Sequence, residues 1–242
     1  MVPLSGTRSS DNAAGRPVLL VANKGDRSLG IVDPQSGRQV ATVAEGGTTG
    51  HEVAASPDGH IAYVPIYGNS GVGKPGGRNM VVIDITARKA IGNVDFGHGV
   101  RPHCAVFDPN NGLLYVTTEL DNSVTIIDPR TLKIVGSVPT GKSESHMLAI
   151  THDGQRGYTA NVGSGTVSVL DLKARRTTEV IPISVQVQRI SISVDDRMVF
   201  TADQTKPQLA VIEIATNRVK TWIPLQAPGY GPLPRRTDIG SW

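Results

Sequence analysis

Three histidines stand at matching places in this 242-residue chain. Each begins a gapless repeated segment: His51-Glu52-Val53-Ala54-Ala55-Ser56-Pro57-Asp58-Gly59, His103-Cys104-Ala105-Val106-Phe107-Asp108-Pro109-Asn110, and His146-Met147-Leu148-Ala149-Ile150-Thr151-His152-Asp153-Gly154. A fourth copy, from Gln188 to Asp196, has glutamine at that place, so the repeat itself does not demand an imidazole. Neutral imidazole is a good ligand for zinc, copper, iron and nickel, and three of them leave coordination positions open for water or substrate. The pattern predicts a divalent transition metal on His51, His103 and His146, with zinc first and copper or iron as alternatives. Glu52, beside His51, is the candidate base, although strand alternation would turn it away from that imidazole. Arg101, just ahead of His103, is the candidate partner of an anion or oxyanion. Lys142 and Glu144 lie in the matching approach loop. The competing reading is a surface histidine copied by duplication, with solvated charges around it.

The elements that must position these residues are short strands. Each histidine-led segment is a β-prone run ending in a turn signal such as Ser56-Pro57-Asp58-Gly59. An aromatic residue then opens a second strand: Tyr63, Tyr115, Tyr158 and Phe200. A third strand ends in an acid, as in Val81-Val82-Ile83-Asp84 and Val124-Thr125-Ile126-Ile127-Asp128, and a fourth leads to the next copy. Four strands recurring every 40–45 residues or so is the period of a propeller blade. The chain therefore reads as an all-β propeller of four-stranded blades. About five blades are present over residues 18–225. The first is incomplete: Leu20-Val21-Ala22-Asn23 matches a second strand, and the polar stretch before it cannot be an inner one. Because strand polarity alternates, the loop before each inner strand shares a face with the loop joining strands two and three. The histidines should thus converge at the mouth of the central channel. The insertion from Gly68 to Asn79 overhangs the same face as a lid, a specificity loop or a plain surface loop. His98 is a further candidate for the site. His60 and His152 fall at opposite-face turns, and Cys104 should be a small buried hydrophobe.

The Tyr-Val-Thr/Ala-Asn runs, the Ser-Pro-Asp-Gly turn and the acid-led turn Asp128-Pro129-Arg130-Thr131 resemble the YVTN-type bacterial β-propeller repeats, related to lactonase-like and cytochrome-d1-like propellers. That resemblance implies six or seven blades, so five suggest a shortened C-terminus. Open blade edges would then be closed within the ring or in a homo-oligomer. It also implies three functional alternatives. The first is a metal-dependent hydrolase of esters, lactones or phosphoesters, acting on a small-molecule substrate. The second is a copper or iron oxidoreductase at the same site. The third is a non-enzymatic binding or cell-surface propeller.

Composition narrows the field further. Aromatics are only 4% of residues, so the core must be Val, Ile, Leu and Ala, while 27 glycines and 16 prolines supply turns. The formal charge is +3 with no basic stripe, which argues against nucleic acid as a partner. No apolar run reaches membrane-spanning length, so a soluble protein is expected, periplasmic or extracellular if a signal segment has been removed. A single cysteine excludes an internal disulfide. Residues 1–17 read as a disordered lead-in and 226–242 as a tail that departs from the repeat. No nucleophile elbow, dinucleotide fingerprint or cysteine-based metal motif is present.

Overall fold

The computed structural model describes residues 17–47, 52–69 and 74–229. Most of the lead-in and of the tail, the tip of the insertion, and His51 lie outside the described residues.

Five antiparallel sheets follow one another along the chain. The first has β1 (Leu19–Asn23), β2 (Ser28–Asp33) and β3 (Arg38–Ala44). The second has β4 (Ala54–Ala55), β5 (Ile61–Gly68), β6 (Gly76–Asp84) and β7 (Lys89–Asp95). The third has β8 (Pro102–Phe107), β9 (Leu114–Thr118), β10 (Ser123–Asp128) and β11 (Lys133–Pro139). The fourth has β12 (Ser145–Ile150), β13 (Arg156–Asn161), β14 (Thr166–Asp171) and β15 (Arg176–Pro182). The fifth has β16 (Val187–Ile192), β17 (Met198–Asp203), β18 (Gln208–Glu213) and β19 (Arg218–Pro224). Strands are ordered in space as in sequence, so each sheet is a meander and the whole is a β-propeller of several blades. The first sheet has three strands among the described residues, as its sequence predicts.

The turns explain why the repeat is so regular. At the third-to-fourth strand turn an acid side chain accepts from the backbone two or three residues on: Asp33 from Gln35 N–H, Asp84 from Ala87, Asp128 from Arg130 and Asp171 from Ala174. The pairing of third and fourth strands slips by one residue in every blade, between Ile31/Val32, Val82/Ile83, Ile126/Ile127, Val169/Leu170 and Val211/Ile212. A bulge repeated at one place adds twist and fans the sheets around an axis.

The core lies between blades, not within them. Tyr63, Met80 and Val94 of the second blade pack on Val100, Leu114 and Val116 of the third. Tyr115, Val124 and Val138 of the third meet Leu148 and Leu170 of the fourth, and Tyr158, Val167 and Ile181 of the fourth meet Val187, Ile190 and Val199 of the fifth. On the outer strands Val43, Val94, Val138 and Ile181 are all buried this way, whereas the matching Ile223 is 42% exposed. No sixth blade covers it among the described residues. No helix among them is long and apolar enough to cross a membrane.

Candidate active site at the channel mouth

Two registers of the repeat build the site. The first is the start of the inner strands. His103 is the second residue of β8, His146 of β12 and Gln188 of β16, one place further in than the sequence pattern suggests. Each sits where the pairing with the second strand slips, between Pro102 and Ala105, Ser145 and Met147, and Val187 and Arg189. These residues are therefore bulged out of the ladder, which frees them to be aimed away from the sheet. The second register is the residue just past the second strand, or the last but one within it in the longer β5. Tyr67, Glu119 and Gln204 occupy it in blades two, three and five, each four places after the aromatic that opens the strand.

His103 and His146 stack, with ring centroids 3.7 Å apart and planes inclined by 26°. His103 Nδ1 lies 3.1 Å from the His146 carbonyl oxygen. A carbonyl only accepts, so Nδ1 carries the proton and Nε2 the lone pair. Thr117 Oγ1 donates to the same carbonyl at 2.9 Å and accepts from Cys104 N–H, which locks the two bulges together. His146 Nδ1 meets Glu119 Oε1 directly. The carboxylate accepts, so Nδ1 is protonated here too and Nε2 bears the lone pair. The far oxygen of Glu119 accepts from Tyr67 OH at 2.7 Å, and the Arg101 guanidinium lies 3.8 Å from it. Burial, followed by the charge of Glu119, pushes the Tyr67 phenol well above its ordinary range, so it remains a donor.

Arg101 is 4% exposed, and its guanidinium sits 5.4 Å from the Tyr67 ring centroid and 3.9 Å from Glu144. Its backbone is left-handed, with φ of 55°, as is that of the repeat-equivalent Glu144 at 54°. The stalk of the insertion holds it. Gly77 O accepts from both Val100 N–H and Arg101 N–H, and Lys74 O lies 3.5 Å from the guanidinium.

The structure thus brings together His103, His146 and Arg101, and adds Glu119, Tyr67 and Gln188. One ligand atom from each of His103, Glu119 and His146 lies within 4.8 Å of the others. Glu52 is placed elsewhere: its Oε1 receives Arg189 Nη1 at 2.6 Å, a bridge from the second blade to the fifth. His98 is exposed on Asp121, and His152 pairs with Asp196 on an opposite-face turn. Cys104 is buried in the packing between blades, which pushes its thiol up to about 12. Glu119, Tyr67 and Gln204 were not singled out from the sequence. The signal that finds them is the repeat register itself, not residue type.

Comparison with known proteins places the chain in a family. Residues 32–221 match the family model "Lactonase, 7-bladed beta-propeller", and the chain belongs to that family. A 6-phosphogluconolactonase of Bacillus subtilis (strain 168) is 29% identical over 91 residues, covering 34% of this chain and 26% of that protein. Two solved structures share the fold. Kuenenia stuttgartiensis hydrazine synthase has a TM-score of 0.72 at 21% identity, over 86% of this chain and 63% of that one. A chain of a mitotic checkpoint complex has 0.74 at 16% identity, over 89% and 63%. The chain spans less than two thirds of the length of each of these relatives.

Proposed function

We propose that this member of the lactonase propeller family opens the ring of a small-molecule lactone by water attack, with His146 as the general base. One observation carries the reading. The Glu119 carboxylate is shared by His146 Nδ1, Tyr67 OH and the charge of Arg101, while His146 Nε2 is turned to the half-buried side of the site beside Gln188. Glu119 fixes the tautomer and stabilises the imidazolium that forms, as the carboxylate of a hydrolytic triad does. A water at Nε2 gives its proton to His146 as its oxygen bonds to the acyl carbon. The carbonyl electron pair moves onto oxygen. When that oxyanion collapses, the ring C–O bond breaks and the imidazolium returns the proton to the alkoxide, leaving a hydroxy acid. General base catalysis of this kind contributes roughly 10²–10⁴-fold. Arg101 sets its positive charge 3.8 Å from the far oxygen of Glu119, behind His146 Nδ1, and so acts by holding that carboxylate in place.

A second reading keeps the hydrolysis and places a divalent transition metal, zinc or otherwise copper or iron, on the same imidazoles. Two features favour it. The His103 and His146 imidazoles are close and buried, and both Nδ1 atoms are tied to oxygen, that of His146 to Glu119, an arrangement that presents Nε2 to a metal. His51 is the third imidazole proposed for that set, outside the described residues. Such an ion would lower the pKa of a bound water and polarise the acyl oxygen.

The test is hydrolysis of a panel of γ- and δ-lactones, followed by acid release, before and after chelation, beside elemental analysis of the protein. Turnover that survives chelation supports His146 as base. Turnover lost on chelation and restored by about one equivalent of metal supports the second reading. A protein that opens no lactone in either state refutes both.

A further inference from the structure

The general base has a neighbour whose place in the site is set with unusual completeness. Gln188 stands at the repeat position that His103 and His146 occupy in the preceding blades, and like His146 it is the residue skipped by its strand pairing. Its Nε2 lies 3.2 Å from His146 Nε2. Since that imidazole nitrogen bears a lone pair, the contact is an amide N–H donated to it. The amide oxygen of Gln188 then faces Gln204 Nε2, which donates to it. Donation therefore runs one way from Gln204 through Gln188 and His146 to Glu119.

The backbone is held as firmly. The next residue, Arg189, reaches across to Glu52 of the second blade, and its own carbonyl accepts from Thr201 Oγ1 at 2.6 Å. His103, Glu119, His146 and Arg101 are all buried, whereas Gln188 is half-buried. Gln188 is thus the accessible residue on the Nε2 side of His146, and its amide N–H occupies the one lone pair that an attacking water needs, so the water is seated as that N–H swings aside. A carboxamide with two N–H bonds can lend one to that water's neighbour, the acyl oxygen of a bound lactone.

We propose that Gln188 is the oxyanion donor of the reaction: its amide N–H caps His146 Nε2 in the resting site and moves to the acyl oxygen as the tetrahedral intermediate forms. Gln204 and the Arg189–Glu52 bridge are positioning residues for it, so Glu52 acts through Arg189 and not at the reacting atoms. This rests on the hydrolase reading above.

The experiment compares wild type with Gln188→Met, which keeps length and loses both donors, and Gln188→Glu, which keeps shape and at neutral pH only accepts. Two readouts are taken: kinetics on δ-valerolactone, and calorimetric binding of a six-membered cyclic phosphonate that mimics the tetrahedral oxyanion. Loss of one oxyanion donor costs about 10²–10³-fold in kcat. Both variants should lose that much with KM moved less than about threefold, and phosphonate affinity should fall by the same factor as kcat/KM. Circular dichroism and melting temperature identify a variant that has not folded, and the other then decides. Wild-type turnover with either folded variant retaining kcat, or with phosphonate affinity unmoved, overturns the role of Gln188 alone. A wild type that neither hydrolyses the lactone nor binds the phosphonate overturns the hydrolase reading and this proposal with it.

Discussion

Replacing Glu45 by glutamine should remove a pH dependence of stability from this protein. Glu45 follows β3 and is 2% exposed, and neither carboxylate oxygen has a hydrogen-bond partner among the described residues. Other blades place Phe96, Thr140 and Ile183 at the same repeat position. Burial pushes the Glu45 carboxyl from 4.5 up to about 7. The folded state therefore holds this proton more tightly than the unfolded chain does. The stabilisation is complete below pH 4.5 and is lost as pH rises through 7, where the fold must carry an unpaired buried charge. At 1.36 kcal/mol per pKa unit the loss is about 3 kcal/mol by pH 8.5. The assay is urea unfolding of wild type and Glu45→Gln at half-unit steps from pH 5 to 8.5. A buried amide also has unmet hydrogen bonds, so the quantity to read is the change with pH of the difference between the two proteins. The wild type should lose about 2.5 kcal/mol relative to the variant across that range, the remainder being already lost at pH 5. A difference that stays constant, or moves in the opposite sense, refutes the reasoning.

Gly77→Ala would drive a Cβ into the Ile66 carbonyl and shift the oxygen that holds Val100 and Arg101. Overpacking of this kind costs about 1–3 kcal/mol. Calorimetry should show a lowered Tm, and lactone turnover should fall further than the fraction unfolded accounts for, because Arg101 moves as well. Cys104, its thiol pushed up to about 12 by burial, should resist iodoacetamide at pH 8 in the native protein and react once unfolded, as read by mass spectrometry.

Most of the architecture was legible in the repeat. The acid-led turns and the opening aromatics mark the blades because each does something local and physical. Asp33 and its equivalents bond their own turns, and Tyr63, Tyr115 and Tyr158 fill the gap to the next blade. His103 and His146 were legible because residue type recurs at their position. Tyr67, Glu119 and Gln204 were not, because a phenol, a carboxylate and an amide share a register without sharing a type. Nor could the sequence show that the inner strands bulge at the histidines, since the slip depends on how β8, β12 and β16 meet their partners. The Glu52–Arg189 bridge joins residues of the second and fifth blades, so only the ring geometry brings them together.

The most direct test of the account is the kcat of Glu119→Gln on a lactone that the wild type opens. An amide at that place keeps the shape and provides no charge for the imidazolium, and with its oxygen kept by Tyr67 OH and Arg101 it turns an N–H toward His146 Nδ1, which favours the other tautomer. The expected loss is about 10³–10⁴-fold in kcat with KM little changed, since the equivalent change in a hydrolytic triad costs about 10⁴. A variant that folds and retains kcat within about threefold of wild type would contradict it.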